Sequence, residues 1–173
     1  MTGIKKSTRE RAVKSGKNRG KGIIGPNAVT PRYVREHTPK TKSILDFGAG
    51  EDAYHTLFMR NMGFTRVTAY DFPENRIKGL HDPNALDYTY DVVMASNVLN
   101  VQETVKMLKA TLEQLFGAMD PASGILYANY TGNPRYIKAL TPGKLKKIIE
   151  SYGYHVQRVG GDSGSPIWAI YFK

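Results

Sequence analysis

The sequence predicts an α/β fold in which helices cover both faces of a mostly parallel sheet. Three observations carry this prediction. From Lys42 to the C-terminus, short apolar β-rich runs alternate with runs of helical period. The first such run ends in a glycine turn, Gly48-Ala49-Gly50, and open parallel sheets hold their ligands at such strand ends. The last two runs are linked by only seven residues, 160–166, too few for a crossover, so they must pair antiparallel.

Residues 1–22 contain eight basic side chains and one acid, a net +7 of the chain's +10, which leaves +3 for the rest. They show no hydrophobic period and are read as a flexible basic arm on one domain, residues 23–173. Gly25-Pro26-Asn27 ends the arm, and Thr30-Pro31 is read as the cap and first position of a short helix reaching His37. Ser43-Ile44-Leu45-Asp46-Phe47 is the first strand. Residues 53–62 form the next helix, with Leu57, Phe58 and Met62 on its core side and Gly63 closing it. Residues 66–70 are the second strand, ending at Asp71, and residues 90–95 the third. Val101, Val105, Leu108, Leu112, Leu115 and Met119 give a long amphipathic helix stopped by Pro121. Residues 124–130 are another buried strand. Thr141-Pro142 caps a helix with core positions Leu145, Ile148, Ile149 and Tyr152, and residues 154–159 and 167–172 are the closing pair.

Composition excludes several function classes. There is no cysteine, which removes disulfide frameworks, thiolate metal sites and cysteine nucleophiles. No apolar run approaches the roughly 20 residues of a spanning helix. The basic N-terminus lacks the apolar stretch of a secretory signal, so a cytoplasmic location is expected. His37, His55, His81 and His155 have no metal-ligand spacing and are read as structural or exposed.

The strongest chemical signal is Asp46-Phe47-Gly48-Ala49-Gly50. Glycines at a strand end permit a tight turn and a close ligand approach. A carboxylate just before the turn can accept from a cationic ligand group, and Asp71, at the end of the second strand, can accept from ribose hydroxyls.

Ile44-Leu45-Asp46-Phe47-Gly48-Ala49-Gly50, Val67-Thr68-Ala69-Tyr70-Asp71 and the run from Tyr90 to Asn100 together resemble the class I S-adenosylmethionine-dependent methyltransferases. They are particularly similar to short methyltransferase-like proteins of bacteriophages, over about residues 43–173. The resemblance implies a Rossmann-like sheet of seven strands with a terminal antiparallel strand. Six is the alternative, because residues 71–91 are short for a full helix and strand. It implies S-adenosyl-L-methionine as cofactor, with Asp46, Gly48 and Gly50 at the methionine end, Asp71 at the ribose and Asp82 at the adenine amine. Asn97 falls at the strand end facing the transferable methyl group and is the candidate catalytic residue. Asn129, Asn133 and Arg135, in a polar loop at a later strand end, are candidates for binding the acceptor. No metal is implied.

The sequence departs from the family where Asp52, after Glu51, stands at the usual third glycine. Other readings stay open. Gly48 to Ala53 also fits a dinucleotide fingerprint, although Glu51 and Asp52 would face the pyrophosphate. Asp71 could cap a helix, Asp82 could belong to an Asp-Pro turn, and Asn97 and Asn100 could be turn residues. Tyr127, Tyr130 and Trp168 are read as packing residues. The basic arm points to DNA or RNA as acceptor, against a solvated tail or a segment folded over the cofactor. Lack of a cysteine disfavours pyrimidine C5, and lack of an evident general base favours nitrogen. A small-molecule or protein acceptor, or a catalytically silent binding module, are the alternatives. Oligomeric state is not legible.

Overall fold

The computed structural model describes residues 6–17, 28–132, 134 and 136–173. Six strands, β1 (Ile44–Phe47), β2 (Val67–Tyr70), β3 (Val92–Ala95), β4 (Ile125–Asn129), β5 (Tyr154–Gly161) and β6 (Pro166–Phe172), form one sheet in the order β2-β1-β3-β4-β6-β5. β1 pairs parallel with β2 and β3, and β3 with β4. β6 runs antiparallel to both β4 and β5, so the chain's last strand is inserted beside β4. Among the described residues the helices are α1 (Lys6–Lys17), α2 (Val29–His37), α3 (Tyr54–Asn61), α4 (Val105–Gly117) and α5 (Pro142–Ser151).

Side chains alternate across a strand, and here they sort into two cores. Leu45, Val93, Ala95, Leu126 and Ala128 face one side, where Leu108, Leu112 and Leu115 of α4 and Leu145 and Ile149 of α5 meet them. Ile44, Val92 and Met94 face the other, against Val34 of α2 and Met59 of α3. β1 and β3 are buried along their whole length, which is why they read as continuous apolar runs. Tyr130 and Trp168 are buried and stacked 6.2 Å apart, as packing residues.

Residues 71–91 hold no α-helix and no full strand. Two 3-10 turns, Pro73–Asn75 and Ala85–Asp87, bracket only isolated bridges, from His81 to Ala69 and to Lys78. The sheet therefore has six strands, with β2 and β5 at its edges.

Four local expectations differ from the structure. In α3 the buried side chains are His55, Thr56 and Met59, whereas Leu57 and Met62 are exposed. α3 is only eight residues long, and Thr56 turns inward to reach the Asp46 carboxylate, which rotates the apolar pattern away from the core. In α2 the cap position is Ala28, so Thr30 and Pro31 lie inside the first turn and are buried. α4 begins at Val105 because the Thr104 hydroxyl accepts from the Met107 N–H at 3.1 Å. Val101 falls in a preceding 3-10 turn, and Val105 is exposed. Finally, where a flexible arm is expected, Lys6–Lys17 are helical. This helix is held by contacts far away in sequence, which no local pattern encodes; the remaining arm residues, 1–5 and 18–22, lie outside the described residues. The Thr141-Pro142 start of α5 is as expected: the Thr141 hydroxyl accepts from Lys144 N–H, and Pro142 is the first helical residue.

Candidate active site at the carboxyl ends of the strands

The crevice is built from the segments that leave β1, β2 and β3. After β1 the chain turns toward β2, and the N–H groups of Gly48 and Ala49 both donate to the Tyr70 carbonyl, at 2.8 and 3.0 Å. Gly48 and Gly50 have φ of 72° and 78°. A Cβ on Gly48 would also come within 2.8 Å of Val98 Cγ2, so this turn requires glycine on two counts. Ala53 and Asn97 are the two non-glycine residues with positive φ among those described, at 42° and 56°. One follows β1 and the other follows β3, so this unfavourable backbone is concentrated at the crevice.

Asp46 is the penultimate residue of β1. It is buried, and its Oδ2 accepts from the Thr56 hydroxyl at 2.9 Å. Asp71 is buried at the end of β2. Its Oδ2 accepts from Gly50 N–H at 2.7 Å, and its Oδ1 from Phe72 N–H at 2.7 Å and Asn75 Nδ2 at 2.8 Å. The carboxylate thus ties the glycine turn to the next segment while keeping part of its acceptor capacity. Asn75 Oδ1 is buried without a hydrogen-bond partner among the described residues.

His81 supports the same turn from below. Its Nδ1 accepts from Ile77 N–H at 3.0 Å, which places the ring proton on Nε2, and Nε2–H donates to the Gly50 carbonyl at 2.8 Å. Glu51 and Asp52 are exposed, so the carboxylate at the family's third glycine is directed to solvent. Asp82 is half-buried and makes a turn, its Oδ1 accepting from Asn84 N–H at 2.8 Å.

On the β3 side, Asn97 and Asn129 are brought together. Asn97 N–H donates to Asn129 Oδ1, and Asn129 Nδ2 donates to Asn97 Oδ1, both at 2.7 Å. Asn133 and Arg135 lie outside the described residues. Sequence reasoning did not single out Thr56, Asn75 or the supporting role of His81. Thr56 and His81 reach their partners across 10 and 31 residues, and no local spacing signals such a contact.

Helix α1 lies across these strand ends. Val13 carbonyl accepts from Asn75 Nδ2 at 3.1 Å, and Glu51 N–H donates to the Gly16 carbonyl at 3.5 Å. Arg9 pairs with Glu74 at 2.9 Å and Arg11 with Glu103 at 3.5 Å. The helix thus touches the segments following β1, β2 and β3. A Cβ on Gly16 would sit 2.3 Å from Asn75 Nδ2 and 3.5 Å from Asp71 Oδ1, so glycine permits this close approach. Among the described residues, no group of three or more His, Asp or Glu could hold a metal ion. No helix there is long and apolar enough to cross a membrane.

No protein-family model matches the chain, and no curated protein matches it in sequence. Solved structures do match. A SAM-dependent methyltransferase from Bacteroides fragilis in complex with S-adenosyl-L-homocysteine superposes with a TM-score of 0.62 at 16% identity, over 83% of this chain and 77% of that one. The DhpI–SAH complex gives a TM-score of 0.64 at 15% identity, over 95% and 92% of the two chains. A TehB-like SAM-dependent methyltransferase from Corynebacterium glutamicum gives 0.60 at 14% identity, over 96% of each. The chain therefore has the Rossmann-like fold of the SAM-dependent methyltransferases, in a six-stranded form.

Proposed function

We propose that the protein is an S-adenosylmethionine-dependent methyltransferase that acts on nucleic acid, at nitrogen. The observation that carries the cofactor reading is the pair of buried carboxylates, Asp46 and Asp71, joined by a turn whose Gly48 leaves no room for a Cβ. The residues suit the group. Asp46, fixed by Thr56, would accept from the α-ammonium, while Gly48 and Gly50 would let the methionine end lie against the backbone. Asp71 would receive the ribose hydroxyls, with Asn75 Oδ1 as a spare buried acceptor beside it, and Asp82 the adenine amine. When bound, the cofactor supplies a methyl group already activated on a sulfonium. What remains for this chain is to hold the acceptor in line and exclude water. Asn97, held in place by Asn129, would serve there, with Asn133 and Arg135 on the acceptor's side.

The nucleic-acid reading is supported by α1, which carries Lys14 and Lys17, beside the paired Arg9 and Arg11, to these strand ends, where phosphates would be neutralised. Kinship with short bacteriophage proteins and a cytoplasmic location belong to the same reading. A small-molecule acceptor is the second reading. It is favoured by the closeness of α1 to Asp71 and Asn75, which narrows the approach to the site.

The test is transfer of labelled methyl from S-adenosylmethionine into separated DNA, RNA, protein and small-molecule pools. Asp46→Ala and Asp71→Ala serve as controls. Label in a polynucleotide pool, lost in both variants, is the expected result. Label confined to small molecules would move the assignment to the second reading. Cofactor binding with no label in any pool would make the chain a silent binding module.

A further inference from the structure

Two asparagines at the ends of β3 and β4 fix each other's orientation. A backbone N–H can only donate, so the Asn97 N–H, 2.7 Å from its partner, identifies that Asn129 atom as Oδ1. The other amide atom of Asn129 is then the NH2. It stands 2.7 Å from the Asn97 side chain and must find an acceptor there, which identifies Asn97 Oδ1. Amide oxygen and nitrogen are normally assigned from such networks, and here the network starts from an unambiguous donor. Turning either amide over would set donor against donor or acceptor against acceptor. Asn129 is 4% exposed, and its NH2 also reaches Ser165 Oγ at 3.4 Å. It has no room to serve a substrate directly. Asn97 is exposed, in the left-handed conformation at φ 56°, and its Nδ2 has no partner among the described residues.

We propose that Asn97 is a specificity-determining residue that presents only N–H donors to the methyl acceptor. The acceptor group it holds then carries a lone pair: a carbonyl oxygen, an unprotonated ring nitrogen or an anionic oxygen. An amine that must donate its own N–H at this position would meet a second donor and forfeit the hydrogen bond. Asn97 exchanges no proton; its part is recognition. This inference rests on the methyltransferase reading of the crevice, and it narrows the acceptor class within that reading.

Replacing Asn129 by Asp changes one atom, the NH2 to an oxygen, and should invert the preference. The Asn97 N–H keeps its acceptor, but the second carboxylate oxygen now opposes Asn97 Oδ1. The Asn97 amide turns over, donates Nδ2 to Asp, and offers its oxygen to the crevice.

The experiment uses the full chain labelled with 15N and saturated with S-adenosylhomocysteine, and follows the side-chain amide resonances of Asn97. Two neutral, similarly sized probes are titrated: pyridine N-oxide, which only accepts, and pyrrole, which donates through N–H. The Asn97 NH2 resonances should shift with pyridine N-oxide and stay in place with pyrrole, and Asn129→Asp should exchange the two responses. A pyrrole response in the wild type, or an unchanged preference in a folded Asn129→Asp protein, overturns the proposal. The wild-type titration decides the matter even if the variant does not fold. Calorimetry with S-adenosylhomocysteine is run alongside. Failure to bind it would overturn the methyltransferase reading itself, whereas the amide polarity is still read from the cofactor-free protein.

Discussion

Asp91 begins the loop edge of β3 and accepts from Ser43 N–H and Ser43 Oγ, each at 2.8 Å, and from Lys42 Nζ at 3.0 Å. The backbone donor of Ser43, with Lys42 and the Ser43 hydroxyl, pulls the carboxyl from its ordinary 3.8 to about 2. A depressed folded value contributes stability above the unfolded value and loses it as pH falls through the folded one. Asp91→Asn should therefore lower the denaturant midpoint at neutral pH, with the difference shrinking below about pH 4 and disappearing only below about pH 2. A gap between the two proteins that stays constant across this window would refute the assignment. At Gly48 the constraint is conformational. Gly48→Ala must hold φ at 72° against Val98 Cγ2, at a cost of roughly 1–2 kcal/mol from the left-handed backbone alone. Calorimetry should show weaker S-adenosylhomocysteine binding together with a lower melting temperature. Among the described residues, the two that set positive φ without glycine, Ala53 and Asn97, flank the same crevice. The Asp46 and Asp71 positions were legible as residue types at strand ends. Thr56, which bonds Asp46, and His81, which bonds the Gly50 carbonyl, were not, because those bonds join groups 10 and 31 residues apart.

Among the elements, α3 and α4 show how far periodicity carries. The stripe Leu108, Leu112 and Leu115 was readable at intervals of three and four, and all three side chains are completely buried against the sheet. Leu112→Ala should cost roughly 2–5 kcal/mol, the range for a buried leucine whose site only partly collapses. Leu57, which the sequence also placed in a core, is exposed in α3. Leu57→Ala should shift the urea midpoint by no more than about 0.5 kcal/mol in stability, as for an ordinary surface change. Equal losses in the two variants would contradict the burial assignment. A helix of 13 residues gives its period time to declare itself. One of eight, with Thr56 drawn inward by Asp46, does not.

For the whole molecule the question is how α1 sits on the sheet. Its ion pairs, Arg9–Glu74 and Arg11–Glu103, have solvent-exposed arginines, and such pairs are weak and screened by salt. Raising ionic strength from about 50 mM to about 500 mM shortens the Debye length to a few ångströms. It should speed tryptic cleavage within residues 6–17 while the sheet stays intact. A cleavage rate indifferent to salt would mean that the Val13, Gly16 and Asn75 contacts alone hold the helix. Addition of S-adenosylhomocysteine should also change this rate, because α1 approaches Asp71 and Asn75.

The sequence by itself determined the fold class, the antiparallel return of the last strand and the two carboxylates at the ends of β1 and β2. Those features are written in local pattern: period, turn glycines, and the seven residues too few for a crossover. Residues 71–91 likewise announced a truncated element through their length. Only the tertiary structure decided that Lys6–Lys17 form a helix over the crevice, that His81 props the glycine turn, and that Asn97 and Asn129 lock together. Each of these depends on segments meeting across the sheet ends, where a hydrogen bond or ion pair joins residues whose separation along the chain leaves no periodic trace. The candidate site lies at that junction for the same reason: the loops leaving β1, β2 and β3 bring together groups from distant parts of the chain.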